Sequence, residues 1–186
     1  MKAKNKNINK YALLVPKTWK LCTNPELIKI WDEAWNEAVK LGYLKAEDKA
    51  PLWTFKSCYR WGESRYAKGV PAGIVGVERI FNKSPNSAKE TIVHEIAHLC
   101  TKGDHHGNKW KKCGDEIGKI YNIKMSRADS AEDLGIDYSL MDYHVRCKHC
   151  GYSMHWPEKT VYWAHPEKYY CGCCNNMELE RYNINN

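Results

Sequence analysis

The stretch Thr91–Trp110, TIVHEIAHLCTKGDHHGNKW, decides how the chain is read. It holds four of the eight histidines and the chain's only HExxH, formed by His94, Glu95 and His98. In a helix of 3.6 residues per turn, His94 and His98 lie one turn apart on one face, where both imidazoles can reach one metal ion. Glu95 is turned by about 100° from His94 and can address a water in the metal's open position, the arrangement of a zinc hydrolase. Zinc lowers the pKa of such a water to roughly 7, and a carboxylate beside it takes the proton as attack begins. A surface helix whose histidines only hydrogen-bond is the plainer reading. Ile92, Val93, Ile96, Ala97 and Leu99 argue against it, because they bury the motif helix and buried polar rings need partners.

A catalytic zinc takes three protein ligands and keeps one position open. A histidine six residues after His98 would extend the motif in the metzincin manner, but Asp104 stands there. The nitrogens at hand are His105 and His106, followed by Gly107 and a new helix. His106 is the preferred third ligand: a loop residue before a flexible glycine can aim back at the motif helix, with Trp110 anchoring the returning helix in the core. His105 is the alternative, and Glu116 on the next helix is a more distant one.

Outward from the motif, residues 24–42 predict an amphipathic helix. Asn24 is its cap, Pro25 its first residue, Leu27, Ile30, Trp31, Ala34, Ala38 and Leu41 its apolar face, and Gly42 its stop. Residues 51–81 carry β-branched and aromatic residues between glycines, with partial alternation in TFKSCYRW and GIVGVERIF. This predicts two or three short strands and a hairpin turning near residues 67–73. A helix over Ser87–Cys100 and another over about Asn108–Tyr121, weakened by Gly114 and Gly118, complete a helix, strands, helix, helix order that suits an α+β layer. Residues 1–23 read as a loosely held tail, 24–125 as the main domain, the acidic 126–142 as a linker or lid, and 143–182 as a separate module.

That module contains RCKHCGY and YYCGCCNNMEL, so Cys147, Cys150, Cys171 and Cys174 form C-x2-C, twenty residues, C-x2-C. Two such knuckles can wrap one tetrahedral thiolate zinc. Cys173 falls outside the two-residue spacing and is read as a spare thiol. Four ligands leave no open position, so this second zinc is expected to be structural. His149, His155 and His165 are expected as surface or packing residues.

The chain has 186 residues, 43% of them hydrophobic, enough to bury a core. Its formal charge is +7, from 29 basic and 22 acidic residues, which favours polyanions as partners. In the module, Tyr152, Trp156, Tyr162, Trp163, Tyr169 and Tyr170 alternate with arginines and lysines, a composition compatible with stacking on unpaired bases. It is equally that of a small domain packing on its aromatics. The longest apolar run near the start, Tyr11–Val15, is too short for a signal peptide, and nothing approaches a membrane span. A cytoplasmic location is expected, where nine cysteines read as metal ligands and buried thiols rather than disulfides.

The HEIAHLC and HHGNKWKK segments together resemble the SprT-like, or Spartan-type, zinc metallopeptidases. Their pattern is HExxH, a short variable loop, then HG and an aromatic residue opening the next helix. The resemblance covers Asn24 to about Tyr121, and the cysteine module adds a second match, since such proteins often carry a zinc ribbon there. It implies a zincin-like core with a C-terminal zinc ribbon, and a catalytic zinc on His94, His98 and His106. Glu95 would be the base, and a protein the substrate. Eukaryotic members of the group degrade proteins crosslinked to DNA, so single-stranded or damaged DNA is an implied partner. Two other readings follow from the same residues: a non-enzymatic zinc-ribbon DNA-binding or adapter protein, and a peptidase acting on free polypeptides without DNA.

Overall fold

The computed structural model describes residues 11–126 and 130–183. The fold is α+β and divides into two compact units. One comprises the chain up to Lys56 with Arg60–Ser130; the other comprises Ser57–Tyr59 with the chain from Ala131 onward.

In the first unit, helix α1 spans Pro25–Lys40. The Asn24 carboxamide accepts hydrogen bonds from the N–H groups of Glu26 and Leu27, at 2.9 and 3.4 Å, satisfying donors that the first turn leaves free. Leu27, Ile30, Trp31, Ala34, Trp35 and Ala38 are buried along one face. Gly42 N–H then donates to Val39 C=O and Tyr43 N–H to Ala38 C=O, the paired closure of a Schellman end.

Four strands follow the order β1-β2-β4-β3, with β1 at Lys20–Leu21, β2 at Trp53–Phe55, β3 at Gly62–Arg65 and β4 at Ile74–Glu78. β2 and β4 are parallel, while β1 with β2 and β3 with β4 are antiparallel. The β3–β4 hairpin turns through residues 66–73, at the place the glycines predict. Between β2 and β3, by contrast, Lys56–Trp61 forms no strand, so the alternation in TFKSCYRW extends the sheet less than expected. β4 is buried throughout, which explains its unbroken IVGV run. Helix α2, Ala88–Cys100, packs on β3, β4 and α1, and helix α3, Asn108–Gly118, packs on α2. The last part of the expected third helix, Lys119–Tyr121, is a 3-10 turn.

Residues 1–23 were expected as a loose tail, and for residues 11–23 the structure differs. Tyr11 is fully buried and Trp19 nearly so, in a cluster with Ala50, Phe55 and Ile74. Trp19 stacks on Phe55 with ring centroids 5.3 Å apart, and Lys20–Leu21 pairs with β2. Two large aromatics recover more by burial than this short polar stretch loses by ordering, a balance that chain composition alone does not display. The remainder of that tail, residues 1–10, lies outside the described residues.

The second unit holds an antiparallel sheet of order β6-β5-β7, from Tyr143–Cys147 (β5), Ser153–Trp156 (β6) and Leu179–Arg181 (β7). A one-turn helix, α4, occupies Val161–Ala164, capped by the Thr160 hydroxyl accepting from Trp163 N–H at 3.1 Å. Val145, Cys147, Cys171 and Leu179 form its buried centre. The stretch read as a linker or lid also departs from expectation. Residues 131–142 fall inside this unit and bury Ala131, Leu134, Ile136 and Met141. Their spacing is irregular because they lie in turns and irregular chain rather than in an α-helix or strand.

Candidate metal centres

Helix α2 and the turn after it bring His94, His98 and His106 together. His106 Nε2 stands 3.0 Å from His94 Nε2 and 3.1 Å from His98 Nε2. One nitrogen cannot donate a single proton well to two neighbours, whereas three lone pairs converging on a point are what a cation needs. Tetrahedral ligands at a Zn–N distance of about 2.0–2.1 Å stand roughly 3.4 Å apart, close to the spacing seen. The three residues could therefore hold a metal ion.

The turn that delivers His106 is built by Asp104 and by His106 itself. His106 has φ 56°, a left-handed conformation that is uncommon outside glycine and asparagine. Gly107, expected to supply the flexibility, has an ordinary negative φ. Its lack of a side chain is required for space instead, since a Cβ there would lie 2.2 Å from Asp104 Oδ1. Asp104 Oδ2 accepts from Trp110 N–H at 2.9 Å, capping the start of α3 in place of a conventional N-cap. Trp110 is fully buried, with its ring centroid 4.6 to 5.4 Å from all three imidazoles, and its Nε1–H donates to His94 C=O at 3.3 Å.

Burial, then the neighbouring His98 and His106, push His94 down to about 3. Burial, then His106 and His105, push His98 down to about 4. Both rings are neutral at physiological pH, the form that ligates. Glu95 is only 7% exposed, and burial raises its carboxyl to about 7. Hydrogen bonds from the Ser64 hydroxyl and backbone N–H act in the opposite direction. Glu95 thus has its partners on the edge strand β3, where Gly62 is equally constrained: a Cβ at Gly62 would lie 2.7 Å from Glu95 Cγ and Oε1. Gly62 and Ser64 are neighbours of Glu95 that the sequence reading passed over. Nothing local marks them, because the contact joins segments some thirty positions apart; only a glycine inside a strand hints at a close approach.

His105, the alternative third ligand, is exposed and does not join the histidine group. Glu116, the more distant alternative, accepts a hydrogen bond from the Tyr43 hydroxyl and is likewise not brought to it.

In the second unit, Cys147, Cys150, Cys171 and Cys174 bring four sulfurs within 4.8 Å of one another. Cys147 Sγ is 3.6 Å from Cys174 Sγ and Cys150 Sγ is 3.5 Å from Cys171 Sγ. Tetrahedral thiolates at about 2.3 Å from zinc stand roughly 3.8 Å apart, so this set could also hold a metal ion. Burial works against a Cys171 thiolate, but the backbone N–H groups of Cys174 and Cys173 bring its thiol down to about 7. Cys173 contributes that N–H, at 3.4 Å, and keeps its own exposed thiol outside the group. His149 is exposed and His165 faces Glu167 at 3.3 Å. His155 packs in an aromatic cluster: its Nδ1 is 2.9 Å from His144 Nδ1, and its ring stacks on Tyr138 with centroids 4.1 Å apart.

Among the described residues, no helix is long and apolar enough to cross a membrane. No family model, curated protein or solved structure matches the chain.

Proposed function

We propose that this protein is a zinc-dependent endopeptidase of the SprT type, with a zincin-like core, acting in association with DNA. The observation that carries the proposal is the convergence of three imidazole nitrogens, two from the helix that also carries a buried carboxylate and one from the turn after it. His94, His98 and His106 would hold the catalytic zinc, and Cys147, Cys150, Cys171 and Cys174 a structural one. The catalytic zinc would supply Lewis acidity, polarising a peptide carbonyl and acidifying a water. Glu95, once ionised, accepts a proton from the attacking water and returns it to the leaving amine nitrogen. The Ser64 N–H and hydroxyl hold the Glu95 carboxylate in place for both transfers. Trp110 closes the site from behind and keeps the imidazoles from reorienting.

For the DNA role, support comes from the second unit. Trp156 and Tyr162 are stacked with their planes 8° apart, Tyr162 packs on Tyr169 at 4.4 Å, and Tyr152 and Tyr170 are exposed. Such faces accept unpaired bases while Lys148, Lys159 and Lys168 meet phosphates.

The test compares wild type with Glu95→Gln for zinc content, single-stranded DNA binding and cleavage of a denatured protein. Two zincs and equal DNA binding in both, with cleavage lowered about 10²–10⁴-fold in the variant, are expected. If the zinc-loaded wild type binds DNA and cuts nothing with or without it, the chain is an adapter instead. Cleavage without any salt-sensitive DNA retention would leave a peptidase of free polypeptides.

A further inference from the structure

The first unit contains a cavity of about 720 Å³ that the zinc chemistry does not use. It lies between the segment after α1, the C-terminal end of α2 and the first turns of α3, and three of these segments send lysines to it. Lys45, Lys102, Lys109 and Lys112 line it against one carboxylate, that of Asp48. Four cations less one anion leave three positive charges around one concavity. Lys109 and Lys112 are three residues apart on α3, so they rise from the same face of that helix. Glu116, outside the lining, accepts from the Tyr43 hydroxyl and pairs with Lys112 Nζ at 4.0 Å, so it offsets part of this charge and leaves a net excess of about two.

Like charges gathered in a cleft repel one another and concentrate the field there, an arrangement that a bound anion relieves. The carbonyl end of α2, which also borders the cavity, repels anions, so the lysines outweigh it rather than add to a favourable helix end. The volume falls within the range of small-molecule sites, about 300–1,000 Å³, and exceeds what a single phosphate ion fills. Tyr43 and Leu99 give the cavity a less polar wall for the body of an organic ligand. We propose that this cavity binds a small organic anion bearing two phosphate groups on a sugar-sized frame. The site does not depend on the peptidase reading, since no metal ligand and no part of Glu95 lines it.

The experiment is calorimetric titration of the zinc-loaded full chain with fructose 1,6-bisphosphate, whose separated phosphates chelate zinc weakly, at fixed ionic strength. The expected result is one site per chain, with affinity weakened about tenfold or more by Lys109→Glu with Lys112→Glu, and no binding of fructose. Lys29→Ala, on the exposed face of α1, should leave the affinity unchanged. All three lysines are exposed, and circular dichroism with zinc content verifies folding of the variants. Absence of binding by wild type, or equal binding by the Lys109 and Lys112 double variant, overturns the proposal. Displacement of the sugar bisphosphate by oligothymidylate of higher affinity, lost in the same double variant, also overturns it by assigning the cavity to a nucleic-acid backbone.

Discussion

Burial holds the Glu95 carboxyl up at about 7, while the Ser64 hydroxyl and N–H draw it down. As the base of the proposed peptidase Glu95 must be ionised to act, so anything that raises this pKa further lowers the expected activity on the acid side and leaves the alkaline side alone. Ser64→Ala deletes the hydroxyl and keeps the N–H. Its kcat/KM should fall about three- to tenfold at pH 6 and approach wild type by pH 8, with zinc content unchanged. An unshifted acid limb would mean that Ser64 does not support Glu95. Gly62→Ala tests the same contact sterically. The added Cβ meets the Glu95 side chain and Thr91 Cγ2, both at 2.7 Å, so either strand or carboxylate must move. A loss of about 1–3 kcal/mol in thermal unfolding is expected, with cleavage falling further than stability and zinc retained. At this scale His94, Glu95 and His98 were legible because helix periodicity fixes their relation within five residues. Gly62 and Ser64 were not, because their role exists only after β3 has been laid against α2.

Between residue and fold stands the turn of residues 101–107, which adds a third imidazole to the pair on α2. Sequence order placed a histidine before a glycine and a tryptophan beyond it, and that suggested the return. It could not show that His106 itself takes the left-handed conformation, or that the Asp104 carboxylate fills the space above Gly107. Asp104→Ala removes the acceptor for Trp110 N–H and should cost about 0.5–2 kcal/mol, as loss of a helix cap does. The specific consequence lies in the metal. With the turn slackened, zinc should leave the histidine site faster under a weak chelator, while the thiolate zinc stays. Asp104→Asn retains an acceptor and should restore much of both. Elements built from repeating patterns, such as α1 with its cap and the β3–β4 hairpin, were likewise readable. The two-residue strand β1 was not, because a strand so short has no periodicity and is made by its partner β2. The His144–His155 pair had no sequence signal either, as it depends on the register of β5 with β6.

At the scale of the whole chain the two units differ in what sustains them. The first buries Trp31, Trp35, Trp110, Phe81, Ile92 and Ile96 completely or nearly so, a core independent of any ion. In the second, the buried cluster of the sheet is Val145, Cys147, Cys171 and Leu179, two of them from the thiol group, and the turns before it bury Ala131, Leu134, Ile136 and Met141. Without a metal those sulfurs are weakly polar groups facing one another, and a three-stranded sheet whose buried cluster is half cysteine has a small reserve against the entropy of unfolding. Strong chelation under reducing conditions should therefore unfold the second unit and spare the first. Hydrogen exchange read peptide by peptide decides the matter. Amides of β5, β6 and β7 should lose protection on chelation and regain it when zinc is returned, while those of α1 and α2 keep most of theirs. Cys150→Ser should reproduce the loss without chelator, and Cys173→Ser should not, since Cys173 supports the group through its backbone N–H rather than its thiol. Protection of β5 that survived chelation would show that the aromatic packing around Val145 holds the sheet unaided, and would move the thiol group from structural support to metal sensing.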